Sequence, residues 1–237
     1  MEFYIFLVIA LAGSLISAIF GFGSGFIVLT LGSLILPIKD CIALTTLLFM
    51  ASTFVKTILY HRHIHWRLSV VIAFGSIPFA WLGAETLATI DPEPLRPLLA
   101  SFIILSVMIN YLGLFLPLPQ KTSVALIISA FYGYFSGLFS SGNPIKAIAL
   151  DRMGFEKQSF IGGMAATALG VNLIKLISYS NNNILRPEHH STGVILVLIA
   201  IVSALAGRRV VQKINDQRYK GYLSVVLIFS AIILLFK

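Results

Sequence analysis

The chain consists of long, continuously apolar runs separated by short polar segments. A membrane-spanning helix needs roughly 20 predominantly apolar residues to cross about 30 Å of hydrocarbon. The apolar runs cover residues 3–36, 41–60, 68–88, 98–116, 122–150, 159–179, 191–207 and 220–236. Because these runs lack the alternating pattern of barrel strands, they predict membrane helices rather than a β-barrel.

Two of the runs, 3–36 and 122–150, are too long for a single crossing, even by a tilted helix. Each contains small residues near its middle, in the blocks Gly21–Gly25 and Ser140–Pro144. Glycine permits backbone conformations that other residues resist, and proline fits the first turn of a new helix. We predict that each run breaks within the membrane and turns back on itself as two short helical arms.

The two broken runs lie in halves of the chain that resemble each other. Residues Ser17–Gly25 match Ser129–Gly137 at an offset of 112. At an offset of 119, Lys56 recurs as Lys175, Tyr60 as Tyr179 and Arg67 as Arg186. Ordered matches of this kind predict a duplicated unit, with repeat one at 1–116 and repeat two at 117–237.

The predicted fold follows from that duplication. Each repeat contains one broken hairpin and three full crossings, so the second repeat must lie inverted relative to the first. The fold class is therefore an all-α polytopic membrane protein with two inverted-topology repeats in one membrane domain, residues 1–237. Inverted repeats with discontinuous helices are typical of secondary transporters.

Composition excludes several classes of protein. Hydrophobic residues make up 58% of the chain and charged residues 11%, and the mean hydropathy is +0.95. This excludes a soluble enzyme and a disordered chain. The net charge of +8 does not predict nucleic-acid binding, because the basic residues are dispersed among apolar runs. The lone Cys41 excludes an intramolecular disulfide.

These observations predict a multi-pass protein of the cell membrane whose partners are the lipid bilayer and a small anion. Motifs for ATP hydrolysis or peptidase chemistry are absent from the sequence, so we expect no enzymatic activity. No cofactor, metal or nucleic acid is expected, and a homo-oligomer is left open.

We expect an anion site at lipid depth, where the two breaks meet. Lys146 follows Pro144 closely, so an anion bound by the free N–H groups at this helix start would offset its burial. The alternative is that Lys146 extends to the cytoplasmic interface. The predicted substrate-binding residues are Gly21, Gly23, Ser24, Gly25, Thr53, Lys56, Ser136, Gly137, Ser140, Ser141, Gly142, Asn143, Lys146, Asn172 and Lys175.

Several of these residues have a second interpretation. Lys56 and Lys175 lie near predicted interfaces, where extension of the side chain to water would explain them. Thr53 and Asn172 lie one helical turn earlier and deeper in the membrane. Ser24 and its predicted counterpart Ser136 accompany glycines, including Gly133, that could instead serve close helix packing.

Three alternating histidines, His61, His63 and His65, invite a metal-site interpretation. Only His61 and His65 would share a helix face, and no cysteine or carboxylate lies nearby in sequence. A basic loop at the membrane interface is the favoured interpretation, and no metal site is predicted.

The Gly-Phe-Gly block at Gly21–Gly23, its second copy and the junction Tyr60–Arg67 together resemble the TauE/SafE family of sulfite-exporter-like permeases. The resemblance covers nearly the whole chain and implies export of sulfur oxyanions or small organosulfur compounds such as sulfite, thiosulfate or sulfoacetate. The breaks depart from the family pattern of consecutive glycines followed by proline, since Phe22 and Ser24 interrupt the first block.

The predicted function is therefore a permease that moves a small anion, a sulfur-containing oxyanion such as sulfite, thiosulfate or an organosulfonate, by alternating access. The alternatives are a transporter of a cation or of an unrelated solute, and a membrane protein without transport activity, such as an intramembrane enzyme or an accessory subunit.

Overall fold

A computed structural model describes residues 2–21, 24–111 and 117–214, and within these ranges the chain is helical and contains no strand. The helices are α1 (Glu2–Phe20), α2 (Ser24–Gly32), α3 (Ile38–Tyr60), α4 (Trp66–Thr89), α5 (Pro92–Tyr111), α6 (Thr122–Phe139), α7 (Asn143–Arg152), α8 (Lys157–Asn181) and α9 (His190–Lys213). Short 3₁₀ turns, His61–His63 and Pro187–His189, precede α4 and α9. The predicted all-helical architecture is confirmed for these residues.

Six of the described helices, α1, α3, α4, α6, α8 and α9, are long and apolar enough to cross a membrane. Helix α5 covers most of the predicted run 98–116 but begins earlier, at Pro92. Proline fits a first helical turn, and Glu93 there meets the positive end of the helix dipole, so the polar segment before 98 is helical. The predicted run 220–236 lies outside the described residues.

Both over-long runs are interrupted at the small residues. Gly21 follows α1 with a left-handed φ of +81°, and α2 begins at Ser24. Ser140 follows α6 with a φ of 56°, and Pro144 lies in the first turn of α7. Each run therefore forms a long first helix and a short second one.

The short second helix of each run ends near the start of the first. Gly32, at the end of α2, packs against the ring of Phe6 near the start of α1. The backbone N–H of Leu118, shortly before α6, donates to the carbonyl of Arg152 at the end of α7, with an N–O distance of 2.9 Å. The chain therefore reverses direction at both breaks.

Helices α3 and α8 form the centre of the molecule. In an apolar stretch of 18 residues, 56% of the positions are buried in α3 and 67% in α8. The corresponding fraction is 33% in each of α1, α4 and α9. Along α3 the contacts Tyr60 with Gly162, Thr53 with Asn172 and Phe49 with Lys175 follow in order. Since the residue numbers fall on α3 while they rise on α8, the two helices run antiparallel.

The outer helices pair between the two halves of the chain: α4 packs on α6, and α9 packs on α1. Glycines allow close backbone approach at both contacts. Gly137 of α6 lies against the backbone of Ala80 and Gly83 of α4 lies against Tyr134, while Gly207 of α9 lies against Ala18.

The spacing of the helices corrects one sequence match. The ends of α1 and α6 (residues 20 and 139), the starts of α2 and α7 (24 and 143) and the starts of α3 and α8 (38 and 157) are each 119 residues apart. The match of Ser17–Gly25 with Ser129–Gly137 at 112 is therefore seven residues out of step, and the residue equivalent to Ser24 is Asn143, not Ser136. The sequence match at 112 gave the wrong alignment because Gly133 and Gly137 pack against α4, and close helix packing also requires small residues.

Candidate functional site

A small cavity of about 20 Å³ lies between the two breaks and the middle of α3 and α8. This volume holds about one water molecule, so in this conformation the cavity is too small for a polyatomic ion. The cavity is lined by Ser17, Gly21, Phe49, Ser52, Thr53, Lys56, Tyr132, Ser136, Ser140, Asn143, Met164, Ala165, Ala168 and Asn172. Among the described residues, its polar lining consists of hydroxyl, amide and amino groups and contains no carboxylate.

Eight of the fourteen lining residues form pairs with a constant offset between the two halves of the chain. Four of its pairs are 119 residues apart: Ser17 with Ser136, Gly21 with Ser140, Phe49 with Ala168, and Thr53 with Asn172. The members of the last pair touch, since Asn172 Nδ2 donates to Thr53 Oγ1 at 3.2 Å. The cavity therefore lies between the two halves of the chain and is lined by residues of both.

The second break is held by hydrogen bonds around Ser140. Its Oγ lies 2.5 Å from Thr46 Oγ1, and Lys175 Nζ donates to the same Oγ at 3.2 Å and to the Ser140 carbonyl at 3.4 Å. A left-handed conformation is unfavourable for a residue with a Cβ, so these contacts compensate a strained backbone.

The first break is stabilised by a lysine of the neighbouring helix α3. Lys56 Nζ donates to the carbonyl of Ser17 at 2.8 Å and to its Oγ at 2.9 Å, in the last turn of α1. Gly21 takes the left-handed conformation without a Cβ, and its N–H donates to the same carbonyl at 2.9 Å. Lys56 thus ties α3 to the end of α1.

Three lysines in the described residues are buried: Lys56 is 3% exposed, and Lys146 and Lys175 are 0% exposed. Lys146 Nζ donates to the carbonyl of Met164 at 2.8 Å and lies 4.1 Å from the centre of the Tyr132 ring. The alternative prediction, that these lysine side chains extend to the membrane interface, is therefore wrong for all three. Among the described residues, no carboxylate forms an ion pair with any of them.

The three amino groups are arranged around the cavity at two depths. Lys56 lines it directly, whereas Lys146 and Lys175 lie one layer behind, against the lining residues Tyr132 and Ser140. Three buried amino groups therefore surround the cavity, and among the described residues no carboxylate forms an ion pair with them.

Seven predicted site residues line the cavity: Gly21, Thr53, Lys56, Ser136, Ser140, Asn143 and Asn172. Gly25 and Ser141 lie outside the lining but bring the two breaks together, since a Cβ on Gly25 would overlap the Ser141 side chain. Gly142 packs against the carbonyl of Tyr132.

Three further predicted site residues remain, of which one lies away from the cavity and two cannot be placed from the described residues. The structure does not bring Gly137 to the cavity, since the residue packs on α4 and its carbonyl accepts the Tyr179 hydroxyl. Gly23 lies outside the described residues, as does the side chain of Ser24.

Sequence reasoning missed three polar lining residues, Ser17, Ser52 and Tyr132. Each precedes a predicted site residue by four positions, one turn of helix: Gly21, Lys56 and Ser136 respectively. The helical i, i+4 spacing was the signal that could have found them.

His61 and His63 lie in the short turn between α3 and α4, and His65 follows it. None of the three lines the cavity. His61, His63 and His65 are exposed, and the ring of His65 lies 4.7 Å from that of Phe155. In the part of the chain that the structure describes, no group of three His, Cys, Asp or Glu residues is placed to hold a metal.

A protein-family model described as sulfite exporter TauE/SafE matches residues 5–234 of the chain. The matched range contains both breaks, the three buried lysines and every residue that lines the cavity. No curated protein and no solved structure matches the chain.

Proposed function

This chain belongs to the sulfite exporter TauE/SafE family of membrane transporters, and we propose that it is a permease that carries a small sulfur-containing oxyanion across the cell membrane. Sulfite, thiosulfate and organosulfonates are the candidate substrates. The observation that carries the proposal is the polar cavity between the breaks, with three buried lysines and no carboxylate partner among the described residues.

The polar groups of the cavity are suited to binding an anion. Burying a charged amino group is unfavourable unless an opposite charge or hydrogen-bond acceptors compensate it. Lys56, Lys146 and Lys175 each donate to a backbone carbonyl, which compensates them in part. An oxyanion among the hydroxyl and amide donors of the lining would exchange its hydration shell for those groups and complete the compensation.

The helix arrangement supports the inverted repeat. Helices α3 and α8 occupy equivalent places after the two breaks, run antiparallel and touch through the equivalent residues Thr53 and Asn172. Equivalent helices in this relation fit a two-fold axis in the membrane plane. The reversal of the chain at each break likewise supports two re-entrant hairpins.

This arrangement supports a mechanism of alternating access. A cavity of about 20 Å³ is too small for an ion of several heavy atoms, so the substrate requires a rearrangement that opens the site. In inverted-repeat transporters each half can adopt the conformation of the other, which exposes a central site to opposite membrane faces in turn.

The transport proposal is tested by flux of labelled sulfite and thiosulfate into proteoliposomes that contain the purified chain. The variant is Lys56→Gln, because Lys56 lines the cavity and glutamine keeps most of the side-chain volume. We expect flux to fall at least tenfold in this variant, since removing one buried charge from an anion site has an effect of that order.

The matched control is Lys213→Gln, which removes an exposed lysine at the end of α9. It should transport as the parent does. Equal flux in Lys56→Gln and the parent would contradict the site assignment, and absence of flux for every anion tested would favour a cation, another solute or an accessory role.

The inverted arrangement has a separate test. Single cysteines at Pro37 and Pro119, both exposed positions next to α3 and α6, are labelled from each side of sealed vesicles. We expect them to react from opposite sides, whereas Cys41 is buried and serves as the unreactive background. Labelling of both positions from one side would contradict the inversion.

A further inference from the structure

A second pocket, of about 560 Å³, opens where α4 and α6 begin. Its polar wall contains Arg67, Lys121, His65 and Gln120. Arg67 and Lys121 are exposed, and within the described ranges neither forms an ion pair with a carboxylate. The pocket therefore offers two unneutralised basic groups to an anion.

An apolar groove of about 240 Å³ lies beside this pocket, between α4 and α8. Its walls include Val70 and Phe74 of α4 and Leu169 of α8. The side chain of Phe74 is 70% exposed, which in a membrane means contact with lipid chains.

Trp66 lines both the basic pocket and the apolar groove. Its ring is half exposed, and its Nε1 donates to the carbonyl of His61 at 3.2 Å. Tryptophan in this setting is typical of the level of the lipid headgroups. A basic pocket and a groove at acyl-chain depth thus share one interfacial tryptophan in their linings.

We propose that the pocket and the groove together bind an anionic phospholipid. Arg67 and Lys121 hold its phosphate, and the groove between α4 and α8 takes an acyl chain. A soluble anion would account for the basic pocket alone, and an uncharged lipid for the groove alone. Only an anionic lipid matches both, so the charge of the pocket and the adjacent apolar groove favour that occupant.

Quenching of tryptophan fluorescence by brominated lipids tests this site directly. The chain has two tryptophans, so Trp81→Phe leaves Trp66 as the only reporter. This variant is reconstituted with phosphatidylglycerol or phosphatidylcholine brominated on the acyl chains. We expect phosphatidylglycerol to bind at Trp66 with a preference of about fivefold for each of the two basic residues.

The paired substitution Arg67→Gln and Lys121→Gln should abolish that preference, so that both lipids quench equally. Lys213→Gln in the same background should keep the preference. Equal quenching by both lipids in the parent, or an unchanged preference in the paired variant, would overturn the proposal. Reversal of the quenching by soluble glycerol phosphate would also overturn it, because the site would then belong to a free anion. None of these measurements depends on transport.

Discussion

The two breaks occupy equivalent places in the chain, 119 residues apart, but are built by different chemistry. At the first, Gly21 adopts a left-handed conformation without a Cβ, and apolar atoms of Phe160 and Ile161 surround it. At the second, Ser140 adopts a left-handed conformation with a Cβ and is held by Thr46 and Lys175. The same turn is obtained through backbone freedom in one half and through hydrogen bonds in the other.

This difference indicates which changes each break tolerates. The first break depends on the absence of a side chain, so added atoms should harm it. The second depends on the presence of a hydroxyl, so lost atoms should harm it. The free energy of unfolding of the purified protein in detergent, measured by chemical denaturation, distinguishes the two cases.

The largest effect is expected where the breaks touch. A Cβ at Gly25 would overlap the side chain of Ser141, so Gly25→Ala should lower the free energy of unfolding by about 3 kcal/mol. The second substitution Ser141→Gly should restore most of the loss by removing the overlapping atoms. Gly163→Ala is the control, because its Cβ would meet other atoms no closer than 3.4 Å. Equal stability of Gly25→Ala and the control would mean that the breaks do not pack together.

Ser140→Ala is expected to have the next largest effect. It removes the hydroxyl bonded to Thr46 and Lys175 but keeps the strained conformation, so the loss should be about 2 kcal/mol. Ser140→Gly loses the same bonds but relieves the backbone, and should be more stable than the alanine variant by about 1 kcal/mol. An alanine variant as stable as the glycine variant would contradict the strain at this position.

Gly21→Ala tests the first break. The nearest atoms lie 3.4 Å from its added Cβ, so the left-handed backbone alone should account for a loss of about 1.5 kcal/mol. Flux of labelled sulfite in proteoliposomes should be measured in parallel, because Gly21 also lines the cavity. A variant as stable as the parent would show that the first break does not require a glycine at position 21.

Thr46→Val is expected to have the smallest effect, about 1 kcal/mol. It removes the hydroxyl that bonds to Ser140 and donates to the carbonyl of Ile42, while valine keeps the shape of the side chain. In a double-mutant cycle with Ser140→Ala, the two losses should be less than additive, since both remove the same bond. Strict additivity would show that Thr46 does not support the second break.

The positions of both breaks were predictable because the constraint is one of length. Runs 3–36 and 122–150 exceed one bilayer crossing, and small residues near their centres are the places where a helix can end. The equivalent positions of Lys56 and Lys175 were also predictable, because the two residues have the same offset as the helices α3 and α8.

The environment of the lysines was not predictable in the same way. Their distance from the nearest polar segment allowed an extended side chain to reach water, and only the packing of neighbouring helices determined that none of them does. Similarly, the small residues Gly133 and Gly137 resembled the first break in sequence, but contact with α4 assigned them to helix packing.

The amino-acid sequence alone determined that this protein is an assembly of apolar helices with two interruptions, because hydrophobic length and backbone freedom are properties of local segments. The tertiary structure decided which polar groups face one another. Thr53 meets Asn172, Thr46 meets Ser140 and Gly25 meets Ser141 only after the two halves pack together. The composition of the cavity therefore depends on contacts between residues that are about 100 positions apart in the chain, which no local pattern encodes.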